Sequence, residues 1–303
     1  MFRRLRKLVY RLGLRSDYHR IDRLHYLKRL ARAGSPGDSS YASDKDVDQF
    51  REGEVLVAEA FDGREVLFFC DPANHTEREV IKAGFSSSVL RLAADLAASG
   101  EAVIDVGANV GALAVPLAKS RPALEVHAFE PHRLALGRLR RNIAANRLAN
   151  IVVHEQAAGN AAGTAELTAF ELRDLGLSSL RASASRFEGQ SKYAVPVVTL
   201  DEALRDLKHK IAVIKIDVEG FEAEVLEGAR GIVARDRPYL IFEHSDVFFE
   251  APGAAAAQKR RLASLLESFG YEAFYITRHS HRLLLPVLWD KPLTGDVLAM
   301  PAR

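Results

Sequence analysis

The residues best suited to chemistry are a few acids and glycines in the middle of the chain. Asp105-Val106-Gly107-Ala108-Asn109-Val110-Gly111 follows the apolar pair Val103-Ile104. It reads as a β-strand that ends in a glycine turn before a helix, an arrangement that lets backbone approach a nucleotide-like ligand. Glu125-Val126-His127-Ala128-Phe129-Glu130-Pro131 reads as the next strand. Its terminal Glu130 falls about 20 residues after the glycines, where a carboxylate accepts hydrogen bonds from both ribose hydroxyls. A dinucleotide turn needs G-x-G-x-x-G to meet a pyrophosphate, but here Asn109 takes the middle position. Asp105 would repel a pyrophosphate and suits the ammonium of a methionine tail. The expected cofactor is therefore S-adenosyl-L-methionine rather than NAD, with contacts from Asp105, Gly107, Asn109, Gly111, Glu130 and Gln156.

A second constellation is Ile214-Lys215-Ile216-Asp217-Val218-Glu219-Gly220-Phe221-Glu222. A lysine inside an apolar strand and two acids before a glycine are costly unless partnered or useful. Methyl transfer from a sulfonium is an in-line displacement, so the protein has chiefly to align a nucleophile and take its proton. Asp217 can orient or deprotonate a hydroxyl, and His244 can do the same at neutral pH. Glu219 completes the catalytic candidates, with satisfaction of Lys215 or of loop amides as its other reading. A divalent ion held by Asp217 with Glu243 or His244 is conceivable, but no spaced ligand motif occurs, and no metal is expected.

The elements that must position these groups alternate between strand and helix, which implies an α/β fold. The expectation is a doubly wound, mostly parallel seven-stranded sheet with helices on both faces. Ligands in such sheets collect outside the carboxyl ends of the strands. Core strands are expected at 103–106, 126–129, 151–154, 211–216 and 239–242, and further strands at 271–276, 282–286 and 296–300, the last closing the sheet. Pro116 is expected to kink or delay the helix after Gly111. Gly163 to Phe170 alternates at period two, so an extra antiparallel strand is expected there, paired with the stretch from Val195 to Leu200. Asp201 is expected to cap a helix through Leu207. Upstream, Asp62-Gly63 is a hairpin signal between Val55–Phe61 and Glu65–Phe69, and Thr76 is the expected cap of a short helix.

The chain has 303 residues, 48% of them hydrophobic and 27% charged, with a net charge of +2. This is a globular composition with no overall pull on polyanions. Residues 1–34 hold eleven Lys or Arg against Asp17 and Asp22. Leu5, Leu8, Val9 and Leu12, then Ile21, Leu24, Leu27 and Ala31, form helical stripes among these charges. The segment is read as a basic amphipathic helical extension that packs on the domain or touches an anionic membrane surface. Ala33 to Ser43 has the composition of a linker. Three units follow: extension and linker over 1–50, a hairpin and helix over 51–100, and the cofactor-binding domain over 101–303. The arginines of 133–147 lack interleaved aromatics, so no nucleic-acid partner is expected. Cys70 is the lone cysteine, and no apolar run is long enough to span a membrane. A cytoplasmic, at most membrane-peripheral, location is expected.

Taken together, these residues resemble the FkbM family of S-adenosylmethionine-dependent methyltransferases. The similar pieces are Val103 to Gly111, Ala128 to Pro131 with Asn142-Ile143 and Asn146, Val198 to Asp201, Ile214 to Glu222, and Val225 to Ala229. They cover roughly Glu101 to His244. The resemblance implies a class I methyltransferase fold and O-methylation of a hydroxyl on a sugar, glycolipid or natural product, a small-molecule or glycan acceptor in either case. The alternatives are an NAD-dependent oxidoreductase, disfavoured by the glycine spacing, and a non-catalytic binding module that retains the fold.

Overall fold

The computed structural model describes residues 8–11, 55–85, 87–170, 178, 180, 190–249, 251–276 and 284–302. The second helical stripe, Ile21 to Ala31, and the linker at 33–43 lie outside these residues. The first stripe is corrected in part, because Leu8–Arg11 is a strand, β1, antiparallel to β2 (Val55–Phe61). β2 pairs in turn with β3 (Arg64–Cys70). Asp62 and Gly63 join them with φ of 51° and 79°, as a tight hairpin turn demands.

After the hairpin come α1 (His75–Ala83), α2 (Ser88–Leu96), β4 (Ala102–Val106), α3 (Ala114–Ser120), β5 (Glu125–Phe129), α4 (Arg133–Asn146) and β6 (Ile151–His154). Asn74, not Thr76, caps α1, its side chain accepting from the Glu77 N–H at 3.2 Å. Pro116 falls in the first turn of α3. Its missing N–H has no intrahelical partner to lose there, so the proline delays the helix rather than kinking it.

A separate three-stranded sheet follows, built from β7 (Ala157–Ala158), β8 (Gly163–Phe170) and β9 (Gln190–Val198), with β8 and β9 antiparallel. The chain then returns to the main sheet through α5 (Leu200–Ala203), β10 (Ile211–Ile216), α6 (Glu222–Glu227), α7 (Arg230–Asp236) and β11 (Tyr239–Ser245). It ends with α8 (Ala254–Phe269), β12 (Tyr271–Ile276), β13 (Leu284–Pro286) and β14 (Thr294–Pro301). Thr199 caps α5, which stops at Ala203. Asp201 instead accepts from the Gly231 and Ile232 N–H groups at 2.7 and 2.8 Å, so it caps α7, a helix distant in sequence.

The main sheet has the order β13-β12-β14-β11-β10-β4-β5-β6. It therefore has eight strands rather than seven, one for each of the eight segments expected as strands. From β6 to β11 all pairs are parallel. β14 runs antiparallel between β11 and β12 and does not close the edge. The edge falls to the short β13, where Pro286 forgoes no ladder bond that a central strand would need. β4 is buried at every residue, as expected for a parallel strand covered on both faces. One face packs Val103, Val126 and Val213 with Leu117, Leu139 and the hairpin's Phe68. The other packs Ile104, Ile214 and Ile216 with Leu226, Phe242 and Leu262.

Candidate active site

The loop after β4 is shaped by two positions that exclude a side chain. At Gly107, φ is 75° and a Cβ would lie 1.9 Å from the Asp217 carbonyl oxygen. At Gly111, φ is 90° and a Cβ would meet Leu139 Cδ1 at 2.7 Å and Val115 Cγ2 at 2.9 Å. Asn109 also takes a left-handed conformation, with φ of 50°, which asparagine tolerates better than most residues. This conformation aims its N–H at Glu130 Oε2, 2.7 Å away. The other carboxylate oxygen, Oε1, accepts from the His132 N–H at 2.8 Å. Glu130 thus braces the turn from the end of β5. Burial pushes its carboxyl up to about 7, while those two backbone bonds pull it back down.

Lys215 explains itself once β10 lies beside β4. It is the register partner of Asp105, and its ammonium is 3.4 Å from Asp105 Oδ1, 3.3 Å from Asp217 Oδ2 and 3.3 Å from the Gly107 carbonyl. Burial alone would lower the Lys215 pKa, but Asp217 and Asp105 outweigh it and hold the ammonium above its ordinary range. Asp105 is fully buried, with the Lys215 ammonium as its ion-pair partner. Burial raises its pKa and Lys215 opposes that shift.

Beyond Asp217 the chain turns through Glu219 and Gly220, with φ of 53° and 95°. Burial first, then the negative charges of Asp217, Glu243 and Glu222, raise the Glu219 carboxyl to about 10. Glu243 reaches about 8 for related reasons: burial first, then Asp217 and Asp296, with Lys215 pulling the other way.

These groups face one cavity of about 560 Å³. Among the expected cofactor contacts, Asp105, Gly107, Asn109, Glu130 and Gln156 line it. Gly111 does not and acts through close packing behind the turn. Asp217 and Glu219 line it as well, together with Lys215, Glu243 and Asp296. His244 does not. Successive side chains on a strand point to opposite faces, so turning Glu243 toward the cavity sends His244 away. Its ring is completely buried, stacks on Phe249 with centroids 5.6 Å apart and bonds Asp246 through Nε2 at 3.1 Å. Burial keeps this imidazole below its ordinary pKa despite Asp246. The structure therefore assigns His244 a packing position and places Glu243 where the histidine was expected. Asp296 escaped notice because only pairing shows that β14 borders β11.

Two other motif residues prove to be fasteners. Asn142 accepts from the Phe69 N–H at 2.8 Å and donates to the Val110 carbonyl at 3.0 Å. Asn146 accepts from the Leu67 N–H at 2.9 Å and donates to the Leu67 carbonyl at 2.6 Å. They satisfy the edge of β3 much as a neighbouring strand would. Among the described residues no group of three or more His, Cys, Asp or Glu side chains is arranged to hold a metal ion. Nor is any described helix long and apolar enough to cross a membrane.

The Methyltransferase FkbM domain model matches residues 105–273. A curated relative, the methyltransferase sdnD of Sordaria araneosa, is 29% identical over 153 residues, which is 42% of this chain and 59% of the relative. Among solved structures, the methyltransferase FkbM of Methylobacillus flagellatus KT superposes with a TM-score of 0.41 and 20% identity, covering 66% of this chain and 43% of that one. The O-methyltransferase TomG of Streptomyces achromogenes superposes with a TM-score of 0.43 and 14% identity, covering 76% and 88%. The chain thus spans well under two thirds of the first two of these relatives.

Proposed function

The chain belongs to the FkbM methyltransferase domain family, and from that premise we propose that it methylates a hydroxyl of a small-molecule or glycan acceptor with S-adenosylmethionine as donor. The observation that carries this reading is the meeting of Asp105, the Gly107 turn, Glu130 and Asp217 around one cavity. The pocket's chemistry fits the donor. Asp105, a buried carboxylate on the cavity wall, suits an ammonium. Glu130, fixed by two backbone N–H groups, keeps lone pairs for a ribose diol. Gln156 and the Asn109 side chain complete that end.

Bound S-adenosylmethionine supplies a methyl group on a positively charged sulfur and departs as a neutral thioether. Asp217 aligns the acceptor hydroxyl and takes its proton as the oxygen–carbon bond forms. Lys215 holds Asp217 in place beside the other acids. Glu219 shapes the acceptor end through its left-handed turn. The acceptor enters past β8 and the residues that follow it, since Leu167, Ser178 and Leu180 line the same cavity. Residues 1–34 supply the basic segment for any contact with an anionic membrane.

The test is calorimetric titration with S-adenosylmethionine and NADH in parallel, followed by a radiolabelled methyl screen over glycolipid and metabolite extracts. Binding of the first cofactor alone, with label appearing in an acceptor, is the expected result. Binding of NADH alone would reject the proposal.

A further inference from the structure

We infer that Glu243 is a positioning residue for the transfer, holding Asp217 from the neighbouring strand by donating a carboxyl hydrogen bond to it. This inference rests on the reading of Asp217 as the group that takes the acceptor's proton.

β10 and β11 run parallel with Ile216 opposite Phe242, so Asp217 and Glu243 leave their strands side by side. Both line the cavity, and the two side chains are hydrogen-bonded to each other. An ionised carboxylate can only accept, so a bond between two carboxyl groups requires that one of them carry a proton. The Lys215 ammonium, 3.3 Å from Asp217 Oδ2, places that proton on Glu243.

The remaining groups around Glu243 act in the same direction. Asp296, its register partner on β14, and Glu219, in the turn after β10, both bring negative charge toward it. His244 turns the other way, to Asp246. Burial first, then Asp217 and Asp296, push the Glu243 carboxyl up to about 8, with Lys215 pulling it down. While it keeps its proton, Glu243 fixes the direction of Asp217. Once the proton leaves, two like charges stand in contact and the bond becomes a repulsion. Transfer should therefore slow as pH rises through this range. Loss of a proton from the acceptor hydroxyl would speed it instead.

The test uses the full chain saturated with S-adenosylhomocysteine, which has no methyl group to transfer, its glutamates isotope-labelled at the side-chain carboxyl. Titration followed by NMR is expected to show a carboxyl with its midpoint near 8 that is missing from Glu243→Gln. In Asp217→Asn its proton affinity is expected to fall at least about tenfold. A Glu243 carboxyl that titrates near 4.5, or that titrates alike with and without Asp217, overturns the inference. The second measurement is the rate at which labelled methyl enters the glycolipid and metabolite extracts. Glu243→Ala is expected to slow it at least about tenfold, as a misaligned proton acceptor would. Glu243→Gln keeps a donor at that place, so it is expected to recover most of the loss and to show no decline between pH 7 and pH 9. Retained affinity for S-adenosylhomocysteine verifies that each variant folds. A rate for Glu243→Ala equal to that of the unaltered chain, or no recovery in Glu243→Gln, overturns the inference. Failure of the unaltered chain to bind S-adenosylhomocysteine or to transfer label overturns the methyl-transfer reading instead, and the NMR titration still decides whether Glu243 carries the proton.

Discussion

At one end of the cavity Glu130 receives two backbone N–H groups, at 2.8 and 2.7 Å, whereas at the other end Glu243 has Asp217 and Asp296 for neighbours. Burial raises both carboxyl groups. What differs is the company each keeps. At Glu130 the surrounding dipoles oppose the cost of burial, so the group is organised before any ligand arrives. At Glu219 and Glu243 the surrounding negative charges add to that cost. One cavity can therefore hold a carboxyl group braced by dipoles and others crowded by like charges within a few strand widths.

The sharpest way to break this comparison is at its organised end. Asp105→Ala or Glu130→Ala is expected to abolish cofactor binding in calorimetry. An affinity for S-adenosylmethionine equal to that of the unaltered chain would remove the basis for dividing the cavity in two. At the other end, Asp217→Asn is expected to lower turnover by about 10²-fold, the scale of a lost proton acceptor, while cofactor affinity stays unchanged. A joint loss of both would mean that the two ends are one unit.

His244→Asn separates the cavity from its packing. Turnover is expected to stay within about twofold, while stability to urea falls by about 1–3 kcal/mol, the cost of orphaning the buried partner groups of the imidazole. A large loss of turnover at unchanged stability would return the histidine to the catalytic set.

A further effect concerns pH. Glu219 and Glu243 have folded-state pKa values of about 10 and about 8, raised from 4.5. Between 4.5 and these values the folded protein binds more protons than the unfolded chain, so stability falls as pH rises through that window. Chemical denaturation from pH 5 to pH 9 should show that decline, and Glu219→Gln should flatten it. An unchanged slope would mean that these acids do not crowd one another.

The turn from Asp105 to Gly111 and the acid at Glu130 were legible because their chemistry is local. A backbone that must take positive φ and a carboxylate at the end of a strand announce themselves within a few residues. Asp201 was recognisable as a cap but not as the cap of α7, because its partners lie 30 and 31 positions away. Asn142 and Asn146 carried a motif signal without a reason for it. The reason is the hairpin edge they satisfy, which belongs to another part of the chain. His244 and Glu243 are adjacent in sequence, and only the phase of β11 decides which of them meets the cavity. Asp296 required knowing that β14 inserts beside β11 instead of capping the sheet.

The closeness of Gly107 to the Asp217 carbonyl has a mechanical corollary. With no room for even a methyl group between the two loops, a nudge to one has to be shared by the other. A shift in the turn after β4 is thus passed directly to the end of β10 through a single peptide contact.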